Sequence, residues 1–284
     1  MGVEKRYAYV LWIVLGFFLL DPGYSRAADQ PRPKAPNPQE LARGRWLYEA
    51  NCAICHGVRG DGRGMAAHMF VTQPRDFTKG IFEFRSTPSG SLPTDGDLIR
   101  TITHGLRGTP MLAQPQLTQG QLRAVIAYIE TFSERFSKES AASAIAITEA
   151  PSRTAGLLAE GKKIYQDAGC DTCHGPKGTG DGPSAGDLED YRGYSIRPSD
   201  LTRPLKRGST ARSTYQTLIT GLDGTPMPSY HGALTEEQLW AVSFYVASLN
   251  TGVPSLQQRR EEMLGQHVLM MRGGMMHGPP WRMR

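Results

Sequence analysis

The chain has 284 residues, with 32 Lys and Arg against 27 Asp and Glu, a formal charge of +5. So mild an excess, without basic patches interleaved with aromatic residues, argues against a nucleic-acid partner and favours docking to an acidic protein face. The length suits two domains of about a hundred residues each, yet a hydrophobic content of 39% is low for two cores unless something other than side chains fills them.

Residues 1–27 predict a secretory signal. Lys5 and Arg6 precede an apolar stretch from Ala8 to Leu20, then Pro22–Gly23 and the small residues Ser25, Ala27 and Ala28. The apolar run is short for a membrane span, and retention as an uncleaved anchor is the alternative. Nothing later in the sequence is apolar enough to cross a bilayer, so the mature protein is expected to be periplasmic and soluble. Residues 28–37, with Pro31, Pro33 and Pro36, read as a stiff tether.

A first helix opens at Pro38, with Asn37 as its cap and Glu40 three residues on. It carries Gly44 and Tyr48 and leads into Cys52–Ala53–Ile54–Cys55–His56. The same order returns as Gly161, Tyr165 and Cys170–Asp171–Thr172–Cys173–His174, and these two motifs use all four cysteines. Cys-x-x-Cys-His is the attachment pattern of c-type haem: thiols one helical turn apart form thioethers, and the histidine lies beneath the iron. A four-cysteine zinc site would want its pairs closer together, and disulfides would leave both histidines unexplained. A thioredoxin-like pair would want strands nearby, where this pattern is helical.

The repeat continues beyond the motifs. Glycine-rich loops, Gly60 to Gly64 and Gly178 to Gly182, can approach a flat macrocycle closely. Pro74–Arg75–Asp76 and Pro198–Ser199–Asp200 follow, then short helices ending at Gly105 and Gly221, positions suited to a left-handed cap. Gly108–Thr109–Pro110–Met111 and Gly224–Thr225–Pro226–Met227 come next. Each repeat closes with a helix capped by Thr118 or Thr235, with Gln121 or Gln238 three residues on. Single methionines usually pack in cores, but two at matched positions predict axial ligation through Met111 and Met227. His68 and His231 are the alternative ligands, whereas His104 is matched by Thr220 and is not expected to ligate.

This ordered set resembles the class I c-type cytochromes in a tandem, dihaem arrangement, over about residues 38–133 and 155–250. The resemblance implies an all-α fold of two cytochrome c domains, 38–136 and 155–250, joined by an Ala- and Ser-rich linker, 137–154. It implies two covalent haem c groups held by Cys52, Cys55, Cys170 and Cys173, with His56, Met111, His174 and Met227 as iron ligands. It also implies glycine–aromatic helix crossings, Gly44 with Tyr128 and Gly161 with Tyr245. A proline carbonyl, Pro74 or Pro198, should accept from each proximal histidine. Arg75 and Arg197 are candidates for haem propionates, or plain solvated arginines.

Residues 251–284 form a Met/His-rich tail holding Met263, Met270, Met271, Met275, Met276 and Met283 with His267 and His277. Such donors suit Cu(I); a disordered tail, a docking tail or a short helix packed on a domain are the alternatives. Both cores are expected to be complete without it. The function these features imply is a periplasmic carrier of single electrons, with no catalytic residues, between a respiratory or dehydrogenase donor and a terminal oxidase or reductase. The rivals are a dihaem peroxidase, which needs an open iron, and an electron-transfer subunit of a larger membrane oxidoreductase.

Overall fold

The computed structural model describes residues 37–140 and 142–276, so the expected signal, nearly all of the tether, and His277 and Met283 lie outside the described residues. The described chain is helical, with two isolated β-bridges and no strand among these residues. It forms two tandem units of one plan, the all-α tandem class I cytochrome c arrangement.

In the first unit, α1 (Pro38–Asn51) starts where Asn37 accepts from the Glu40 amide at 2.8 Å, and α2 (Ala53–His56) carries the haem motif. Then come α3 (Asp95–His104), α4 (Gln119–Glu130) and the short α5 (Arg135–Lys138). The second unit has α6 (Ala155–Asp167), α7 (Cys170–His174), α8 (Ala211–Thr220) and α9 (Glu236–Leu249). Thr118 with Gln121, and Thr235 with Gln238, form the reciprocal capping boxes of the closing helices.

First and last helices cross where the glycines allow it. A Cβ on Gly44 would lie 2.0 Å from the Ala124 carbonyl oxygen and 3.0 Å from the Tyr128 Cβ; on Gly161 the distances to Ala241 and Tyr245 are 2.1 and 2.9 Å. The crossings implied by the resemblance are therefore present in both units. Leu47, Tyr48, Leu122 and Ile126 fill the first core, and Tyr165, Leu239, Trp240 and Val242 the second.

The helices before the methionine loops end at glycines with φ +67 and +65°, but ψ of −170 and −174°. This is an extended, glycine-only region rather than the left-handed cap. The chain is turned straight back: Leu106 and Leu222 donate to the carbonyls of Met111 and Met227 at 2.8 and 3.1 Å.

Two segments do more than the sequence suggests. In the linker, the Ile145 amide donates to Ser86 of the first unit at 2.8 Å, and Ile145 and Ile147 pack on the second core. The Trp240 indole N–H donates to Thr148 at 3.0 Å. In the tail, α10 (Leu256–Met276) is a helix that leaves the second unit and packs on the first. Val268 is buried with Ala66 and Phe70, and Glu261 is 2% exposed. Neither core cluster includes a residue of the tail; the helix covers a separate apolar patch of the first unit, which is the alternative of a helix packed on a domain.

The units meet through charge. Arg207 donates to Asp97 at 3.2 Å and to the Arg85 carbonyl at 2.7 Å, and Glu83 bridges Arg75 and Lys206 at 2.8 and 3.4 Å. Burial pushes the Arg207 guanidinium down to about 10 against the pull of Asp97.

Candidate haem sites

The four cysteines are half-buried and none is in a disulfide; Cys52 caps α2, which carries Cys55, and α7 carries Cys170 and Cys173. Among the described residues no three His, Cys, Asp or Glu side chains gather to hold a metal ion. Burial pushes the Cys55 thiol up to about 11 and raises Cys170 as well.

The tyrosine of each Gly-x-x-x-Tyr helix has a definite task. Tyr48 donates to the carbonyl of Gly57, and Tyr165 to that of Gly175, both at 2.7 Å. These glycines end the motif helices at φ +79 and +77°, and a Cβ there would lie 2.3 Å from Asp61 Oδ1 or 2.0 Å from Asp181 Oδ1. The loops that follow run back along the motif: the amides of Gly62, Gly64 and Ala66 donate to His56, Cys55 and Ile54. Gly180, Gly182 and Ser184 do the same for His174, Cys173 and Thr172. Gly64 and Gly182 are needed against the motif's own backbone, and Gly62 and Gly180 against the carbonyls of Pro74 and Pro198.

Each histidine is fixed through Nδ1. His56 Nδ1 lies 3.1 Å from the Arg75 carbonyl oxygen and His174 Nδ1 2.9 Å from that of Ser199. The acceptor is therefore the residue after Pro74 or Pro198, not the proline. The reason is local: the Phe77 amide donates to Gly60 at 2.7 Å and that of Leu201 to Gly178 at 2.6 Å, which sets the register of the strip. The Pro74 oxygen consequently faces Gly62, and that of Pro198 faces Gly180. Burial pushes His56 down to about 4 and also lowers His174, which keeps both imidazoles neutral, with Nδ1 donating and Nε2 left as the donor for a metal. The Phe77 ring stacks on His56 at 4.6 Å, where the second unit has Leu201.

The methionine loops match atom for atom. Thr109 and Thr225 hydroxyls donate to Leu106 and Leu222 at 2.8 Å, and accept from the amides of Met111 and Met227 at 3.1 and 3.2 Å. Both methionines are half-buried against their own cores. A cavity of about 1240 Å³ is lined by Cys170, Cys173, His174, Met227, Tyr230 and Val246. A thiol pair, an oriented imidazole and a thioether around one apolar-walled space are the donor set that fits a covalent haem.

The other candidates stand apart. His68, His104, His231 and His267 are exposed. Arg197 is exposed at the cavity rim, while Arg75 is paired with Glu83 and lies over the Tyr191 ring at 5.7 Å. Met263 and Met270 are exposed on α10, and copper at the tail gains no support among the described residues. Sequence reasoning missed the Arg75 and Ser199 carbonyls and the contacts of Glu261 and Glu262, since neither backbone acceptors nor long-range carboxylates leave a sequence pattern.

Residues 39–129 match the family model described as cytochrome c oxidase, cbb3-type, subunit III, and residues 158–250 match the cytochrome c model. A cbb3-type cytochrome c oxidase subunit CcoP of Azospirillum sp. (strain B510) is 27% identical over 225 residues, 75% of this chain and 63% of that protein. The CcoP of Rubrivivax gelatinosus is 26% identical over 231 residues, 81% of this chain and 61% of its own length. The chain thus spans less than two thirds of these relatives. Among solved structures, a chain of the reducing HAO-like protein complex of Kuenenia stuttgartiensis is 37% identical with a TM-score of 0.73, covering 78% of this chain and all of that one.

Proposed function

This chain belongs to the dihaem c-type cytochromes, and on that premise we propose that it carries single electrons in the periplasm, with both irons closed by histidine and methionine. The haem supplies reversible one-electron chemistry at its iron. The chain supplies everything that limits the chemistry to that. Cys52 and Cys55, with Cys170 and Cys173, would anchor the two groups by thioethers. The Arg75 and Ser199 carbonyls hold His56 and His174 with Nε2 free to bind iron. Met111 and Met227 would fill the sixth position, which favours the reduced state and leaves no place for peroxide.

The observation that carries this reading is the repetition of the methionine loop, down to the threonine that accepts from the methionine amide. Spectroscopy of the purified ferric protein tests it. Met111→Ala and Met227→Ala should each remove part of the far-red charge-transfer absorption and open one iron to carbon monoxide. Rapid carbon monoxide binding by the unaltered protein would favour the peroxidase reading.

The similarity to oxidase subunits favours a second reading, an electron-transfer subunit of a larger membrane oxidoreductase. Among the described residues no helix is long and apolar enough to cross a membrane. Mass spectrometry of the exported protein separates the two: a start near Ala28 marks a released carrier, an intact N-terminus an anchored one.

A further inference from the structure

The two units are built alike, but α10 treats them differently: its first turns, Leu256 to Glu261, line the second unit's cavity, and its later turns pack on the first unit. From the second unit, where Gln258 donates to the Pro204 carbonyl at 2.8 Å, the helix crosses to the first. There the Glu261 carboxylate accepts from the amides of Val71 and Thr72 at 3.3 and 3.2 Å, and Glu262 from that of Gly108 at 2.7 Å. Gly108 belongs to the Met111 loop. Val268 and Leu264 pack in the cluster that contains Ile54 and Cys55, and a Cβ on Gly265 would lie 2.7 Å from the Pro110 carbonyl oxygen. The helix therefore spans from the thioether side of the first site to its methionine side, across the edge between them.

The matched positions of the second unit have no such cover among the described residues. Thr172, Pro226 and Pro228 are exposed there, and a Cβ on Gly186 would meet nothing within 4 Å. The residues have changed accordingly. Ile54, Ala66 and Leu112 under the helix correspond to Thr172, Ser184 and Pro228 without it. The units also adjoin at their sites: the Arg107 amide, in the first methionine loop, donates to the Lys206 carbonyl at 3.2 Å, and both Gly108 and Lys206 line the second unit's cavity.

We infer that α10 seals the edge of the first site, so that a one-electron protein donor reaches the first haem only by way of the second. The inference rests on the electron-carrier reading. Electrons balance one at a time: the donor protein loses one, the second site gains it and passes it on as the first is reduced.

Rapid-mixing reduction of the oxidised holoprotein by excess reduced donor protein tests this. The haems are told apart by the paramagnetic-resonance signals that Met111→Ala and Met227→Ala respectively remove. Reduction of the second haem should rise linearly with donor concentration, while that of the first stays independent of it. A chain ending at Ser255 should lose the concentration-independent phase, and the midpoint potential of its first haem alone should fall, because solvent favours the more charged oxidised state. Gly265→Leu, which lifts the helix off Pro110 without shortening the chain, should do the same if the shortened chain fails to fold. Direct, donor-dependent reduction of the first haem in the unaltered protein would overturn the inference and leave the carrier reading standing. So would potentials and phases unchanged in Gly265→Leu. Failure of both haems to accept an electron would overturn the carrier reading, and the inference with it.

Discussion

Arg85 and Asp223, 138 positions apart, pair across the two units at 2.7 Å, and Arg85 has no exposed surface. The same guanidinium donates to the carbonyls of Phe82, Pro88 and Thr220, so each of its three nitrogens has an acceptor. Asp223 also accepts from Ser89 and the Gly90 amide. The loop that supplies Arg85, between Thr78 and Thr94, is longer than its counterpart between Thr202 and Thr210. The extra residues are what the first unit uses to hold the second.

Asp223→Ala should therefore leave a buried guanidinium without its counter-charge. Removing one partner of such a pair costs about 3–5 kcal/mol. Denaturant midpoints of the two proteins check this, and a change under 1 kcal/mol would mean that water replaces the carboxylate at the seam.

At the helix crossings, Gly44→Ala and Gly161→Ala each drive a methyl group into a backbone carbonyl. Overpacking of this kind costs roughly 1–3 kcal/mol. Backbone cannot rotate away as a side chain can, so both variants should unfold at lower denaturant than the parent. Their haem spectra should be unchanged at low temperature, since neither glycine touches a candidate ligand.

The acid limb of stability should report Glu83. Burial opposes its charge, but Lys206 and Arg75 together outweigh that and hold the carboxyl below its usual 4.5. The folded value lies under the unfolded one, so the stabilisation is complete above pH 4.5 and is lost as pH falls from there through the folded value. Glu83→Gln should weaken the protein at neutral pH and match it well below pH 4.5. Urea midpoints across that range give the comparison; parallel curves would place Glu83 outside the acid response.

Covalent attachment is checked by denaturation. Two complete motifs predict two haems per chain retained after unfolding in acid–acetone, and one after Cys170→Ala with Cys173→Ala. Haem lost from the parent protein under these conditions would remove the thioethers from the account.

Much of this was legible because it recurs. Cysteines, glycines and capping threonines at matched positions define the two units, and the resemblance to class I cytochromes implies their crossings. The acceptor for His56 was misplaced by one residue because a carbonyl belongs to every residue type, and only the Phe77-to-Gly60 hydrogen bond sets which one faces the ring. The tail's seat on the first unit left no pattern for a related reason. Its composition invites metal chemistry, yet its place is set by Glu261 and Glu262 meeting amides nearly two hundred positions away and about a hundred and fifty positions away.

The strip around Ile145 and Thr148 makes the folded second unit larger than the repeat seen in the sequence. A second copy that began where the repeat begins would leave the Trp240 indole without Thr148 and the neighbouring core without Ile145 and Ile147. The joint is therefore part of the second unit's interior, and a second unit cut free at Thr154 would lose those contacts.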